Sequence, residues 1–265
     1  MAQVSTNLPK FPVNSWMATG GGNWEQPNYW SLGIRPDRTQ SLYITNSNAK
    51  IISINAETAA QYPDSLAAHS LLLTPQNTLL LDHVGTKIPF KIINDAPYYG
   101  SYDFWLEGGT VVNLNSSLFV QSLTGAKGQI FQDGGITEIG GYAIFHAEIY
   151  FTNGLFKARG YFKFAGTFNQ YGGTVDCPLT LDGGTYYLYG GDFIGGARVG
   201  DSGGSFVQQG GNYLGLGLTL NSSGCCYFPP LYYFLNAGFL GSSNIYVGPA
   251  GHFTQNGGHV IVTNT

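Results

Sequence analysis

The sequence predicts an all-β fold, a single-stranded β-solenoid of the parallel β-helix type. Three observations predict it: an eight-residue glycine motif returns at intervals of about 19 residues, Gly is abundant (39 of 265 residues), and only 10% of residues are charged, against a norm of about 25%. A period of about 20 residues with no helical pattern inside it is typical of one solenoid coil per repeat.

The motif is clearest at residues 166–173, Gly-Thr-Phe-Asn-Gln-Tyr-Gly-Gly, and close copies begin at Gly128, Gly204 and Gly251. When only the apolar positions are kept, repeats begin near residues 102, 128, 147, 166, 184, 204, 231 and 251. Most of these starts are separated by about 20 residues, one repeat length, and two intervals are longer by roughly seven. We interpret the longer intervals as loop insertions.

Two motif positions share one face of a strand, because side chains alternate along it. The third position is always apolar, which predicts the core, and the fifth alternates between an apolar residue and Gln. We expect each buried Gln amide to bond turn backbone or stacked neighbours, and the glycine pair to form a corner with positive φ. The third positions are Phe104, Ile130, Ile149, Phe168, Tyr186, Phe206, Tyr233 and Phe253, and the fifth are Leu106, Gln132, Phe151, Gln170, Leu188, Gln208, Leu235 and Gln255.

The chain divides into three parts. Residues 1–40 carry three of the four Trp, several Pro and a glycine run, which predicts an aromatic N-terminal cap. Residues 41–101 are expected to form irregular first β coils, with a single helical turn at 56–62 that Pro63 ends. Residues 102–265 form the regular solenoid. Because the sequence stops in mid-coil, we expect a piece of a longer protein and end-to-end self-association.

The alternating forms G-x-F-x-Q-x-G-G (166–173) and G-x-Y-x-L-x-G-G (184–191), with the tryptophan-rich segment 22–36, carry a family resemblance. The chain resembles long glycine-rich repeat proteins of Verrucomicrobia and Planctomycetes, related to autotransporter-associated β-strand repeats, over most of its length. The resemblance implies a secreted or surface-exposed right-handed β-solenoid, and it supplies no catalytic residues. The insertion Cys225-Cys226-Tyr227-Phe228-Pro229-Pro230 departs from the family pattern.

Composition excludes several classes of function. With a net charge of -4 and eleven Lys and Arg spread thinly, the sequence offers no basic surface for nucleic acid. No apolar run approaches the roughly 20 residues needed to cross a bilayer, and the N-terminus lacks the regions of a signal peptide. We therefore expect no transmembrane segment. The family resemblance implies an extracellular or cell-surface location, which would mean that a signal peptide has been removed from this sequence.

No cofactor and no metal are expected. The glycine pairs recur with the repeat and never open a helix, unlike phosphate loops and dinucleotide fingerprints, and the five histidines lack metal-ligand spacing. Cys177, Cys225 and Cys226 are too few for a disulfide framework. Two interpretations stay open: one packed Cys with a pair of loop thiols, or a strained vicinal disulfide or Cys177 crosslink.

Three charged residues, Glu138, Lys157 and Asp176, occupy the same offset in successive repeats and should stack outward. With coils about 4.8 Å apart, the two carboxylates would lie roughly 9 to 10 Å apart, near the upper end of the spacing for an inverting glycosidase. A lyase could instead use Lys157 or nearby Arg159 as a base. The alternative is an exposed ladder of ion pairs with no catalytic role.

The outward positions predict a stripe of aromatic side chains on the surface. Flat rings at strand spacing can stack on sugars, and an exposed apolar patch usually marks an interaction surface, whereas the alternative is that aromatics simply favour strands and pair across them. The candidate binding residues are Phe131, Tyr150, Tyr171, Tyr187 and Tyr189.

Residues 200–204, Gly-Asp-Ser-Gly-Gly, match the nucleophile segment of trypsin-like serine proteases, and His69 lies in a weak match to their histidine segment. The match falls at a repeat corner, where Gly, Asp and Ser are common. The sequence therefore favours an extracellular or surface structural or adhesive module, with a polysaccharide or cell-surface glycan as its partner. The alternatives are a polysaccharide hydrolase or lyase on the same scaffold and, more remotely, a serine hydrolase using Ser202.

Overall fold

The computed structural model describes residues 11–83, 89–93, 104–200, 202–221 and 229–263. These residues form an all-β protein in which the strands pair in parallel, as the sequence predicts. The predicted domain boundaries stay predictions, and the expected start of the first regular repeat at residue 102 lies outside the described residues.

The strands form three parallel ladders, and each repeat after the first contributes one segment to each ladder. Several long strands bend from one ladder into the next. The motif ladder is formed by Gly22–Asn23, Lys50–Asn55, Asn77–Asp82, Phe104–Leu114, Leu123–Ile139, Glu148–Ala158, Thr167–Gln170, Thr185–Leu188, Gly204–Gln208, Leu231–Leu235 and Gly251–Gln255.

The second and third ladders follow the motif ladder along each repeat. The second consists of Ala67–Ala68, Phe90–Ile92, Ser117–Val120, the ends of Leu123–Ile139 and Glu148–Ala158, Thr174–Asp176, the starts of Asp192–Val199 and Asn212–Leu220, Phe239–Ser242 and His259–Val262. The third consists of Val13–Ser15, Ser41–Ile44, Ser70–Leu73, the starts of Phe104–Leu114 and Leu123–Ile139, Ala143–Phe145, Phe162–Phe164, Leu179–Leu181, the ends of Asp192–Val199 and Asn212–Leu220, and Ile245–Val247.

The register of the motif ladder confirms the inward third position from Ile130 onward. Phe168 pairs with Ile149 on one side and Tyr186 on the other, and all three side chains are buried. Rings of the three ladders meet in one core: Phe168 lies 5.5 Å from Phe156 of the second ladder and 5.9 Å from Phe164 of the third, between ring centroids. The core is therefore continuous across the ladders.

The assignment of Phe104 to the third motif position is wrong. Phe104 pairs with Leu71 and Leu123 in the third ladder, and the residue opposite Ile130 is Val111. The motif segment of this repeat therefore starts at Gly109, one regular repeat length before Gly128, so the expected insertion between residues 102 and 128 does not exist. Its fifth position is Asn113, not Leu106, and the strict alternation of apolar residue and amide ends there.

The prediction for the buried Gln amides is confirmed at Gln170 and Gln208, whereas Gln255 is exposed. The Gln170 Nε2 donates to the main-chain oxygens of Gly173 (3.2 Å) and Asp192 (3.0 Å), and the Gln208 Nε2 donates to those of Gly211 (3.0 Å) and Phe239 (2.9 Å). Each amide thus ties the motif corner to the next repeat. Its partners compensate for the loss of water that burial imposes.

The glycine pairs form the corners that the sequence predicts. The second glycine of the pair has a positive φ, for example +66° at Gly173 and +65° at Gly211. A Cβ atom at Gly173 would lie 2.7 Å from the Gly154 main-chain oxygen. Both the conformation and the close stacking of repeats therefore require glycine here.

The N-terminal region extends the same ladders and ends in a cluster of tryptophans. Trp16, Trp24 and Trp30 are buried and pack edge to face, with centroids 5.1 to 5.2 Å apart. Trp24 also packs on Phe90 of the second ladder at 5.0 Å. These rings belong to the hydrophobic core, and their role as a cap stays a prediction.

The short helix lies in this first part of the chain. The predicted helical turn is observed as Ala56–Gln61, and the 3-10 turn Pro63–Ser65 follows it. Asn55 caps the helix, because its side-chain oxygen accepts a hydrogen bond from the Thr58 main-chain amide at 2.8 Å. A second 3-10 turn spans Pro27–Tyr29.

Candidate functional site

The outer surface of the motif ladder, called the aromatic face below, consists of the outward side chains at motif positions two, four and six. Phe131 and Tyr150 stack there with ring centroids 4.8 Å apart and planes 6° from parallel. Tyr171 and Tyr189 stack in the same way, at 4.9 Å and 5°, and Tyr187 lies 5.8 Å from Tyr189. The structure therefore brings the five predicted residues onto one face, in two groups.

These rings combine apolar surface with polar groups. Tyr171 and Tyr189 are 50% and 41% exposed. The Tyr150 hydroxyl donates to Oε2 of Glu148 at 3.0 Å, and this hydrogen bond together with burial raises the Tyr150 pKa. Burial and the neighbouring Tyr171 and Tyr187 raise the pKa of Tyr189. The Tyr150 and Tyr189 hydroxyls are therefore protonated at neutral pH, and a phenol hydroxyl can both donate and accept hydrogen bonds.

The aromatic face is not one unbroken stripe. Asn169, which lies between Tyr150 and Tyr187 in the register, is buried, and Val207 separates Tyr187 from Phe234. The rings therefore form three clusters along the ladder: Phe131 with Tyr150, Tyr171 with Tyr187 and Tyr189, and a third cluster around Phe234.

Sequence reasoning missed part of the third aromatic cluster. Tyr232 stacks with Phe234 at 5.4 Å and with the His252 ring at 5.3 Å. Phe234 occupies the outward fourth motif position, whereas Tyr232 and His252 occupy the second position, from which no binding residue was predicted. The signal was available, because the second and fourth positions have the same parity along the strand.

The three charged candidates line up on the second ladder. Glu138, Lys157 and Asp176 are direct neighbours in register, as the offset predicts. Lys157 Nζ lies 3.4 Å from Oδ2 of Asp176, and Arg159 forms an ion pair with Glu138. Each carboxylate is thus engaged by a cation at a partly exposed site. This geometry matches a surface ion-pair ladder, whose contribution to stability is typically below about 1 kcal/mol per pair.

Ser202, the remote nucleophile candidate, contacts a carboxylate. Its main-chain N–H donates to Oδ1 of Asp182 at 2.7 Å, and Lys163 forms an ion pair with the same side chain. Burial acts to raise the Asp182 pKa, but the bonds from Lys163 and Ser202 outweigh burial and lower it. A nucleophilic serine needs a base such as imidazole. No histidine ring contacts Ser202 in the described part of the chain. His69, the expected partner, instead stacks on Phe11 at 3.6 Å.

The resemblance to glycine-rich repeat proteins stays a prediction. No family model, curated protein or solved structure matches the chain at a significant level. What these surfaces can do therefore follows from their own residues.

The remaining candidates concern thiols and metals. Cys177 is a free, buried thiol whose pKa is raised by burial and by Asp176, while Cys225 and Cys226 lie outside the described residues. Within the described ranges, no group of three or more His, Cys, Asp or Glu side chains is arranged to hold a metal ion. The same ranges contain no helix long and apolar enough to cross a membrane.

A cavity of about 440 Å³ lies in the N-terminal third, away from both candidate sites. Its lining combines apolar side chains with Asp37, Arg38, Asp64 and Lys91. The aromatic face and the ion-pair ladder do not border it, so a ligand there would meet none of the predicted site residues.

Proposed function

We propose that this protein is a right-handed β-solenoid with one coil per repeat, acting as an extracellular or surface structural or adhesive module. The three parallel ladders support this architecture, because equivalent residues of consecutive repeats pair in a constant register, as at Ile149, Phe168 and Tyr186. The repeat length of about 19 residues agrees with it. The family resemblance supports the location. Polysaccharide binds along the aromatic face, which makes the module adhesive toward glycans.

The stacked, exposed aromatic rings carry this proposal. Phe131 stacks with Tyr150, and Tyr171 stacks with Tyr189, across adjacent repeats, and the three tyrosines carry hydroxyls. Sugar rings have apolar C–H faces and hydroxyl rims, so they complement a surface that combines aromatic rings with hydrogen-bonding groups. An exposed apolar patch of this kind usually marks an interaction surface. A repeating ladder also suits a polymer better than a single small molecule.

The test compares two matched double variants by affinity electrophoresis and glycan array. Tyr171→Ala/Tyr189→Ala removes a stack from the aromatic face. Tyr142→Ala/Tyr161→Ala removes an equally exposed stack (41% and 45% exposed, centroids 5.3 Å apart) that lies at the start of third-ladder strands. We expect glycan binding to fall at least tenfold in the first variant and to persist in the second. Equal loss in both, or no binding by the unaltered protein to any glycan, overturns the proposal.

The second candidate function is a polysaccharide hydrolase or lyase, and the alignment of Glu138, Lys157 and Asp176 favours it. A screen for reducing-sugar release, repeated with Asp176→Ala, tests it. Turnover that disappears in Asp176→Ala would establish an enzyme, whereas binding without turnover leaves the adhesive module.

A further inference from the structure

Basic side chains avoid the aromatic face. Between residues 104 and 263 the sequence contains five Lys and Arg residues. The register places Lys157 on the second ladder with Arg159 just after it, and Lys163 and Arg198 on the third ladder. The fifth, Lys127, lies opposite Glu107 where the third ladder turns into the motif ladder. No described outward position of the motif ladder from Thr110 to Asn256 carries a Lys or Arg.

The charged groups on the aromatic face are acidic, and neighbouring side chains already engage them. Glu148 Oε2 accepts hydrogen bonds from Gln129 Nε2 and the Tyr150 hydroxyl, both at 3.0 Å. Asp133 Oδ1 accepts one from the Thr152 hydroxyl at 2.8 Å. The face therefore presents carboxylates that repel anions, with no Lys or Arg at its described positions from Thr110 to Asn256 to offset them.

The other outward positions carry uncharged hydrogen-bonding groups beside the rings. Thr167, Thr185 and Ser205 occupy the second position of consecutive repeats in direct register. Hydroxyls of this kind both donate and accept, as sugar hydroxyls do. The face can therefore form hydrogen bonds with the hydroxyl groups of a neutral ligand at successive repeats.

We infer that the ligand of the aromatic face is a neutral polysaccharide, and this inference rests on the proposed glycan-binding function. Uronate and sulfate groups are recognised by Arg and Lys through charge-assisted hydrogen bonds, and their polymers are attracted by basic surfaces. The aromatic face lacks both features, so polyanionic glycans gain nothing there. Aromatic contacts and neutral hydrogen bonds remain as the source of affinity, and salt screens neither strongly.

The test measures retardation of the full chain in gels containing a neutral glucan, xylan or mannan, a polyuronate, heparin, or chitosan, at about 0.05 M and about 0.5 M NaCl. We expect a neutral polymer to retard the protein, with less than a twofold change in affinity between the two salt concentrations. Tyr171→Ala/Tyr189→Ala should abolish the retardation, and Tyr142→Ala/Tyr161→Ala should not.

The outcomes separate this inference from the function on which it rests. Salt-sensitive retardation by the polyuronate, heparin or chitosan alone, lost in Tyr171→Ala/Tyr189→Ala, would overturn the inference and leave glycan binding in place. Retardation by no polymer at all would overturn both. Neutral binding that survives loss of the Tyr171 and Tyr189 rings would place the site elsewhere and overturn the inference.

Discussion

The hydroxyl of Tyr186 donates a hydrogen bond to Oε1 of Gln170 at 2.5 Å inside the core. Tyr233 and Gln208 form the same pair at 2.6 Å. In both cases the third motif position of one repeat bonds the fifth position of the repeat before it. Burial raises the pKa of both tyrosines well above its usual value, so the hydroxyls stay protonated. Gln170 and Gln208 are therefore each one half of a pair that couples two repeats.

The first prediction concerns Gln170→Leu. The leucine reproduces the residue found at the same position in alternate repeats, but it leaves the buried Tyr186 hydroxyl and two main-chain oxygens without the amide. Because unsatisfied buried polar groups cost about 1 to 3 kcal/mol, we expect the free energy of unfolding to fall by about 2 to 3 kcal/mol. Urea denaturation followed by tryptophan fluorescence measures it.

The double variant Gln170→Leu/Tyr186→Phe is the control for this pair. It removes the Tyr186 hydroxyl that Gln170→Leu leaves without a partner. Its loss in free energy of unfolding should therefore be about 1 kcal/mol smaller than the sum of the losses in the two single variants. Strict additivity would mean that the Tyr186 to Gln170 bond contributes nothing to stability.

The second prediction compares Gln132→Leu with Gln208→Leu. The third motif position of the repeat after Gln132 is Ile149, which has no hydroxyl, and Gln132 Oε1 has no hydrogen-bond partner in the described part of the chain. Gln208 Oε1 accepts from Tyr233. Gln208→Leu should therefore lower the free energy of unfolding by about 1 kcal/mol more than Gln132→Leu does. Urea midpoints that move equally would contradict this difference.

The sequence could predict which side chains of a strand point inward, but it could not predict which ladder a strand joins. Ile130, Phe168 and Tyr186 were assigned inward because apolar residues recur at one motif position. Phe104 was misassigned, because strands of all three ladders show the same alternation and Gly108 and Gly109 imitate the corner that ends a motif. Only the pairing with Leu71 and Leu123 distinguishes the ladders.

For the candidate site, the sequence could likewise predict the positions of residues but not their side-chain partners. Tyr171 and Tyr189 could be placed on the outer surface from their positions, and Glu138, Lys157 and Asp176 could be aligned from their offset. The partners could not be predicted, because they depend on side-chain rotamers. Lys157 turns to Asp176 rather than to Glu138, which pairs with Arg159 instead.

The third prediction concerns pH and the ion pair of Lys163 with Asp182. The Asp182 pKa is lowered in the folded protein. The carboxylate therefore adds to the free energy of unfolding above its unfolded pKa of about 3.9, and this stabilisation is lost as the pH falls through the folded pKa. The hydrogen bond to Asp182 raises the Lys163 pKa, so its contribution is present below about 10.4 and is lost as the pH rises through the folded value. The pair therefore stabilises between these limits.

Asp182→Asn tests this pair. The two side chains are 31% (Lys163) and 11% (Asp182) exposed, so we expect a loss of about 1 kcal/mol at pH 7. We expect a smaller loss at about pH 3, below the unfolded Asp pKa of about 3.9, because protonation of the unfolded state there reduces the stability that the pair contributes. Urea midpoints at the two pH values measure it. A loss that is the same at both would show that charge is not the cause.

The fourth prediction concerns the corner glycines. Gly191 has a φ of +76°, and an added Cβ would lie 2.3 Å from the Gly173 main-chain oxygen. Left-handed backbone strain alone costs a non-glycine residue about 1 to 2 kcal/mol. Because Gly191→Ala adds a steric clash to this strain, we expect it to lower the free energy of unfolding by roughly 3 kcal/mol. Gly20→Ala is the matched control, because nothing lies within 4 Å of its added Cβ. Thermal unfolding by circular dichroism should show a clear drop in Tm for Gly191→Ala only.

The last prediction is that Cys177 reacts only when the protein unfolds. Its side chain is buried and its pKa is raised by burial, whereas the thiolate is the reactive form. In a Cys225→Ser/Cys226→Ser background, which leaves one thiol, labelling by an aromatic disulfide reagent at pH 8 should be slow in buffer and fast in urea. Its rate in buffer should also increase in Gln170→Leu, because that variant opens the same core more often. Rapid labelling of the folded protein would instead show a thiol open to solvent and available for a crosslink.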